Sequence, residues 1–211
     1  MQIDVIFGIL VLLFSVILHE VAHGYMADYL GDPTARLSGR LTLNPVSHID
    51  PFGSIILPAL LVLTHSPFLI GYAKPVPYNP YNLRGFYGEA LVAFAGPATN
   101  IALALLFGLT IRFFGVLFTP ALIGAFAVVV YINILLALFN LMPLPPLDGS
   151  KVLSALLPPR LALGYNNFRA YFERLGMFSG LLLILIIFYL FSPFFFVFLK
   201  WLFVLLTGVP L

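Results

Sequence analysis

Apolar residues fill long runs of this chain, such as residues 121–138 and 181–190, and polar residues gather in short segments between them. Runs of that kind read as bilayer spans, each needing roughly 20 apolar residues. The first extends over about residues 3–30 and is stopped by Gly31-Asp32-Pro33, where proline lacks an amide donor and glycine ends helices readily. The second half of residues 35–44 alternates polar and apolar positions, a strand signal that would put Leu37, Leu41 and Leu43 on one face. Turns follow at Asn44-Pro45 and at Asp50-Pro51-Phe52-Gly53. Residues 54–70 are apolar but short and interrupted by Pro58, as suits a tilted span or a re-entrant segment lining a cavity. Residues 71–88 read as loop, with Lys74-Pro75-Val76-Pro77 and Asn79-Pro80 favouring extended backbone.

Two further apolar segments, about 89–117 and 120–142, are joined by a tight turn at Thr119-Pro120 and should be antiparallel neighbours. Pro143-Leu144-Pro145-Pro146 cannot continue a helix and delivers Leu147-Asp148-Gly149 in extended form. Residues 151–177 are the most polar stretch, and the last apolar run, about 178–207, is split by Ser192-Pro193 into one kinked helix or two short ones. The pattern predicts an all-α integral membrane protein: a multi-pass helical bundle of about five to six spans, with a small membrane-embedded β-strand or re-entrant region after the first. It predicts one domain over residues 1–211, with a core over about 3–150 and a C-terminal helical region over about 151–211.

Composition agrees. Of 211 residues, 62% are hydrophobic and 9% charged, against roughly 45–50% and about 25% in soluble domains. The net charge of +2 is spread without a basic block, so nucleic acid is not an expected partner. There is no cysteine, which excludes disulfides and thiolate metal sites. The first apolar stretch lacks the basic start and small-residue cleavage site of a signal peptide and reads as retained. Lys151, Arg160, Arg169 and Arg174, together with Lys74 and Arg84, place segments 143–177 and 71–87 on the cytoplasmic side; Arg112 dissents. The fourth apolar segment then runs inward and ends at Asp148. If Arg36 and Arg40 are also inside, the first span runs the same way, bringing His19 and His23 within reach of Asp148.

The informative motif is His19-Glu20-Val21-Ala22-His23. Histidines at i and i+4 share a helical face and can hold one zinc ion, with the adjacent glutamate in reach as general base. With 4 His and 3 Glu in the chain, random placement would yield the pattern about once in a thousand such sequences, so the match is far stronger than the bare motif usually is. Ionisable groups inside a span cost roughly 2.5–3.5 kcal/mol each, and a bound divalent cation would compensate three of them. A catalytic zinc takes three protein ligands and leaves a fourth position open. Among the remaining carboxylates, Asp148 is best presented, by a proline-rich extended segment with Gly149 beside it. Asp50 is next, and Asp148 would also suit the N-cap of a helix over 149–157.

These residues, with Gly96-Pro97-Ala98-Thr99-Asn100 in one span and Asn140-Leu141-Met142-Pro143 running into Leu147-Asp148-Gly149, resemble the site-2 protease family of intramembrane zinc proteases over about residues 10–150. The resemblance implies that Asp148 is the third ligand beside His19 and His23, with one Zn2+ per chain. It also implies that the segment 39–44 matches the family's membrane-embedded strand region. The activity it implies is hydrolysis of peptide bonds in or near the transmembrane segments of membrane-protein substrates, by a metal-activated water with Glu20 as base. Asn140 and Asn100 are candidate donors to the reaction's oxyanion; each could instead bond a carbonyl freed by nearby Pro143 or Pro97. The expected setting is the cell membrane, multi-pass, with the site toward the cytoplasm. No PDZ insertion or CBS domain is legible. His48 could bond Asp50 at the loop surface, the favoured reading, contact substrate or hold a second metal, and His65 reads as an interfacial residue. A membrane metal transporter is the competing reading, but a transport path should show ligands at several depths.

Overall fold

The computed structural model describes residues 2–56, 63, 74–174 and 177–210. Helix α1 (Gln2–Tyr29) is apolar for most of its length. It closes through Gly31, whose φ of 108° lets the Asp32 amide turn back to Ala27 O at 2.9 Å. A short helix α2 (Thr34–Leu37) follows. Residues 80–82 form a 3-10 turn before α3 (Gly88–Phe114). Thr119 accepts from Leu122 N at 3.3 Å and starts α4 (Pro120–Asn140), so the tight turn there makes α3 and α4 an antiparallel pair, as expected. Helix α5 (Asp148–Leu156) and the polar α6 (Pro159–Arg174) lead to α7 (Met177–Thr207). Helix α7 runs through Pro193 as one element, which settles the choice between one helix and two.

Among the described residues four helices are long and apolar enough to cross a bilayer: Val5–Tyr29, Gly88–Leu117, Pro120–Asn140 and Ile186–Thr207. Most of residues 54–70 lies outside the described residues, as does His65, so the expected fifth crossing or re-entrant segment is not among them; residues 51–56 form a π-helical turn. The expected strand is absent among the described residues. Thr34–Leu37 is helical, Gly39 at φ 64° closes a turn, and the Arg40 amide returns to Ala35 O at 2.9 Å. The physical reason lies in Arg40, which is buried and donates from Nη2 to Lys74 O at 2.7 Å. The chain there is held by a side chain rather than by a ladder.

The spans pack around a core of Ala104 and Ile111 from α3, Val130 and Ile134 from α4, and Leu199 and Phe203 from α7. Lipid tails are as apolar as these side chains, so close packing rather than escape from water must hold the helices together. Gly108 serves that end: a Cβ there would lie 2.9 Å from Leu206 Cβ. The opposite end of α3 is tied to α6 by Arg169 Nη2 on Glu89 Oε1 at 3.3 Å.

The end of α1 carries a collar of loop. Asp32, fully buried, accepts from Thr34 Oγ1 (2.6 Å), Asn79 N (2.6 Å), Asn82 Nδ2 (2.9 Å) and Thr34 N (3.3 Å). Lys74 N donates to His48 O, and the His48 ring to Thr42 O at 2.8 Å; His48 is therefore a buried strut of this collar rather than a surface loop residue. The collar fixes residues 74–84 beside α1.

Burial alone would raise the Asp32 carboxyl, but the hydrogen bonds from Thr34, Asn82 and Asn79 outweigh it and hold the group below the ordinary carboxylate range. Its stabilisation is complete above the unfolded carboxylate value and is lost as pH falls through the lower folded value. Asp32→Ala should cost about 2–3 kcal/mol by stranding buried donors. Thermal unfolding in detergent checks this; a midpoint within about 1 °C of the native chain at neutral pH would show that the collar does not depend on Asp32.

Candidate metal centre

Residues four apart on a helix stack on one face, and His19 and His23 of α1 both turn toward α3. The His19 Nδ1–H donates to Asn100 Oδ1 at 2.6 Å, and the His23 Nδ1–H donates to Val92 O at 2.7 Å. Each ring is thereby oriented with its Nδ1 as donor, which leaves Nε2 with its lone pair. The two Nε2 atoms approach to 3.1 Å. Asp148 Oδ2 lies 3.2 Å from the first and 3.3 Å from the second.

Three potential ligand atoms thus converge, as the donors to one cation would. Tetrahedral zinc with bonds of about 2.0–2.1 Å sets its ligands roughly 3.3 Å apart, so the donor set fits that ion. Glu20 also brings a carboxylate oxygen within 4.8 Å of both imidazoles. Its Oε2, however, accepts from Val76 N at 2.9 Å, which sets Glu20 apart from the three converging atoms.

Two glycines make this approach possible. A Cβ at Gly96 would fall 2.5 Å from His23 Nε2 and 2.6 Å from His19 Cε1. A Cβ at Gly149 would collide with the Leu141 carbonyl and lie 2.5 Å from Met142 O, so the chain folds back under α4 only because that position is bare. Asp148 is the first residue of α5, preceded by Leu147 in extended backbone, and is not its N-cap.

The ligands open onto a cavity of about 220 Å³, lined also by Glu20, Pro75, Val76, Tyr78, Asn140 and Lys151. The loop backbone at its wall comes from Pro75, Val76 and Tyr78, and no residue of 39–44 lines it. Leu41, Thr42 and Leu43 line a separate groove with Leu18 and Tyr25. Pro75 and Pro77 have no amide hydrogen, and Val76 N–H, which lies between them, donates to Glu20 Oε2.

The two asparagines take different places. Asn140 lines the cavity and donates one Nδ2–H to Leu136 O at 3.0 Å. Asn100 is fully buried behind His19 and does not line the cavity. Its Nδ2 donates to Asn133 Oδ1 at 2.8 Å, and Asn133 Nδ2 donates to Ser15 Oγ at 3.0 Å and to Val129 O at 2.9 Å. This chain of bonds fixes which way each amide faces, and so which nitrogen of His19 carries the proton. Asn133 and Ser15 escaped the sequence reading. The available signal was polar side chains inside apolar spans, Ser15 lying one helical turn before His19.

A family model described as peptidase family M50 matches residues 111–186, which contain Asn133, Asn140 and Asp148. The candidate zinc metalloprotease YwhC of Bacillus subtilis (strain 168) is 39% identical over 72% of this chain and 69% of its own length. The candidate zinc metalloprotease Rip2 of Mycolicibacterium smegmatis is 33% identical over 70% of this chain. This chain belongs to peptidase family M50, the site-2 proteases. No solved structure matches it. The alignment covers little more than half, 56%, of the mycobacterial M50 relative. As an M50 chain with four apolar helices of spanning length, it is a multi-pass membrane protein.

Second-sphere partners of zinc ligands typically contribute about 10–100-fold to metal affinity. Asn133→Leu, which removes the acceptor that orients Asn100, should weaken zinc binding about tenfold, read by competition with a chromogenic chelator. Gly96→Ala should weaken it at least as much while leaving every ligand in place. Affinities within twofold of the native value would show that neither position shapes the site.

Proposed function

We propose that this chain is a zinc endopeptidase that cleaves membrane-protein substrates in or near their transmembrane segments, with Glu20 as general base. The observation that carries the reading is the convergence of His19 Nε2, His23 Nε2 and Asp148 Oδ2 beside Glu20, at the wall of a cavity set between apolar helices.

His19, His23 and Asp148 would hold one zinc ion, which would supply Lewis acidity toward water and a peptide carbonyl. Glu20 supplies the proton bookkeeping. With Oε2 held by Val76 N–H, Oε1 is left to take the proton of the attacking water and to return it to the leaving amine nitrogen. The same hydrogen bond steadies the carboxylate against swinging into the ligand set. Asn140, at the cavity wall with one amide hydrogen unassigned to Leu136, can bond the substrate backbone.

A substrate helix buries its amides in its own hydrogen bonds, so the scissile segment must be extended before it meets these groups. The cavity of about 220 Å³ admits a few residues of chain rather than a whole helix. The basic residues of 143–177 and 71–87 support a site toward the cytoplasmic face of the cell membrane. A transporter would need ligands at several depths; here they gather at one.

Glu20→Gln should retain about one zinc per chain and lose roughly 10²–10⁴-fold of the cleavage rate on a single-span model substrate in detergent. Elemental analysis and a gel-based cleavage assay read the two quantities. Cleavage that survives in Glu20→Gln, or a native chain without stoichiometric zinc, would overturn the reading.

A further inference from the structure

Lys151 stands three residues after Asp148 on α5, so the two share a helical face. Both line the cavity that holds the ligands and Glu20. Lys151 Nζ donates to Tyr78 OH at 2.9 Å and lies 5.0 Å from the centre of that ring. Among the described residues no carboxylate comes within ion-pairing distance of it. An ammonium has three hydrogens, and one phenol leaves two to spare. Burial alone would lower its pKa, but Tyr78, Asp148 and Glu89 raise it, so the group keeps its charge. A half-buried cation with no carboxylate within ion-pairing distance among the described residues, held by an aromatic residue at the wall of the cavity, has a place for an anion in front of it.

We infer that Lys151, held in position by Tyr78, binds the scissile carbonyl's oxygen as that oxygen becomes negative. The inference rests on the protease reading above. In the step concerned, the water oxygen bonds to the carbonyl carbon, its proton passes to Glu20, and the C=O π pair moves onto the carbonyl oxygen. That oxygen then accepts a hydrogen bond from Lys151 Nζ. When the C–N bond breaks, the pair returns to re-form the carbonyl and the amine nitrogen receives the proton. Asn100 cannot fill this role from behind His19, and Asn140 offers an uncharged donor where Lys151 offers a cation. In a low-dielectric pocket a charged donor discriminates strongly between a neutral carbonyl and a developing oxyanion. Tyr78 comes from the collar held by Asp32, so that collar would place this donor as well as the one on Glu20.

The test compares Lys151→Met and Lys151→Arg with the native chain on a single-span substrate with no acidic residue near the scissile bond. Lys151→Met should lower kcat about 10²-fold with KM and zinc content unchanged, and Lys151→Arg should recover most of the rate. A second arm uses the Glu20→Gln background, where nothing is consumed. There the affinity for a phosphinic peptide, which carries an anionic tetrahedral centre, is set against that for the amide peptide of the same sequence. Lys151→Met should weaken only the phosphinic peptide, by about tenfold or more. Three results would overturn the inference: a kcat within threefold of native, equal weakening of both peptides, or an effect seen only with acidic substrates. A native chain that cleaves nothing would refute the protease reading, and the binding arm would still decide the role of Lys151.

Discussion

Two imidazole nitrogens and a carboxylate oxygen, mutually 3.1–3.3 Å apart inside an apolar bundle, need positive charge among them, which a zinc ion would supply. The rest of the architecture follows from bringing them there. Helix α1 supplies two of the atoms by helical spacing alone. The third must come from a segment more than a hundred residues away, which requires the chain to leave α4, turn, and start α5 against the end of the bundle. Gly149 admits that return against the Leu141 carbonyl, and Gly96 lets α3 approach both rings. Either Cβ would push the ligand atoms apart, so these two glycines belong to the metal site as much as to the packing.

Inside a bilayer a polar side chain has no water to fall back on, so each must find a protein partner. The line from Ser15 through Asn133 and Asn100 to His19 meets that demand with uncharged groups. An amide offers both a donor and an acceptor, and can pass orientation from one helix to the next without adding charge beside the ligands. Three helices contribute to this line, so helix packing and histidine orientation are one problem with one solution. Two of the cavity's ionisable groups, Glu20 and Lys151, are held from the collar by Val76 N–H and Tyr78 OH. The membrane-embedded side of the site is thus organised by asparagines, and the opposite side by a loop anchored on Asp32.

The M50 relatives share the chain over about seventy per cent of its length. The family model itself matches the C-terminal half of the site, with Asp148, rather than the histidine pair. The paired histidines and the family match therefore lie on different stretches of the chain, and the fold brings them to one point.

Sequence alone determined what local chemistry can determine. The apolar runs gave the membrane class because a span is a property of some twenty consecutive residues. The i, i+4 histidines and the glutamate between them gave the metal because one helical turn fixes their spacing. The tight turn at Thr119-Pro120 likewise fixed the antiparallel pairing of α3 and α4. Tertiary structure decided whatever depends on residues distant in the chain. Residues 39–44 alternate as a strand does, yet Arg40 is drawn to Lys74 O, and the loop wall of the cavity is made by Pro75, Val76 and Tyr78 instead. Asn100 and Asn140 looked equivalent as polar residues in spans; one faces a histidine's rear nitrogen and the other the cavity, and only helix rotation separates them. Asn133 and Lys151 carried no motif. Their meaning comes from what stands opposite them, Asn100 in one case and Tyr78 in the other, because a hydrogen bond is a property of two groups and the sequence displays them one at a time.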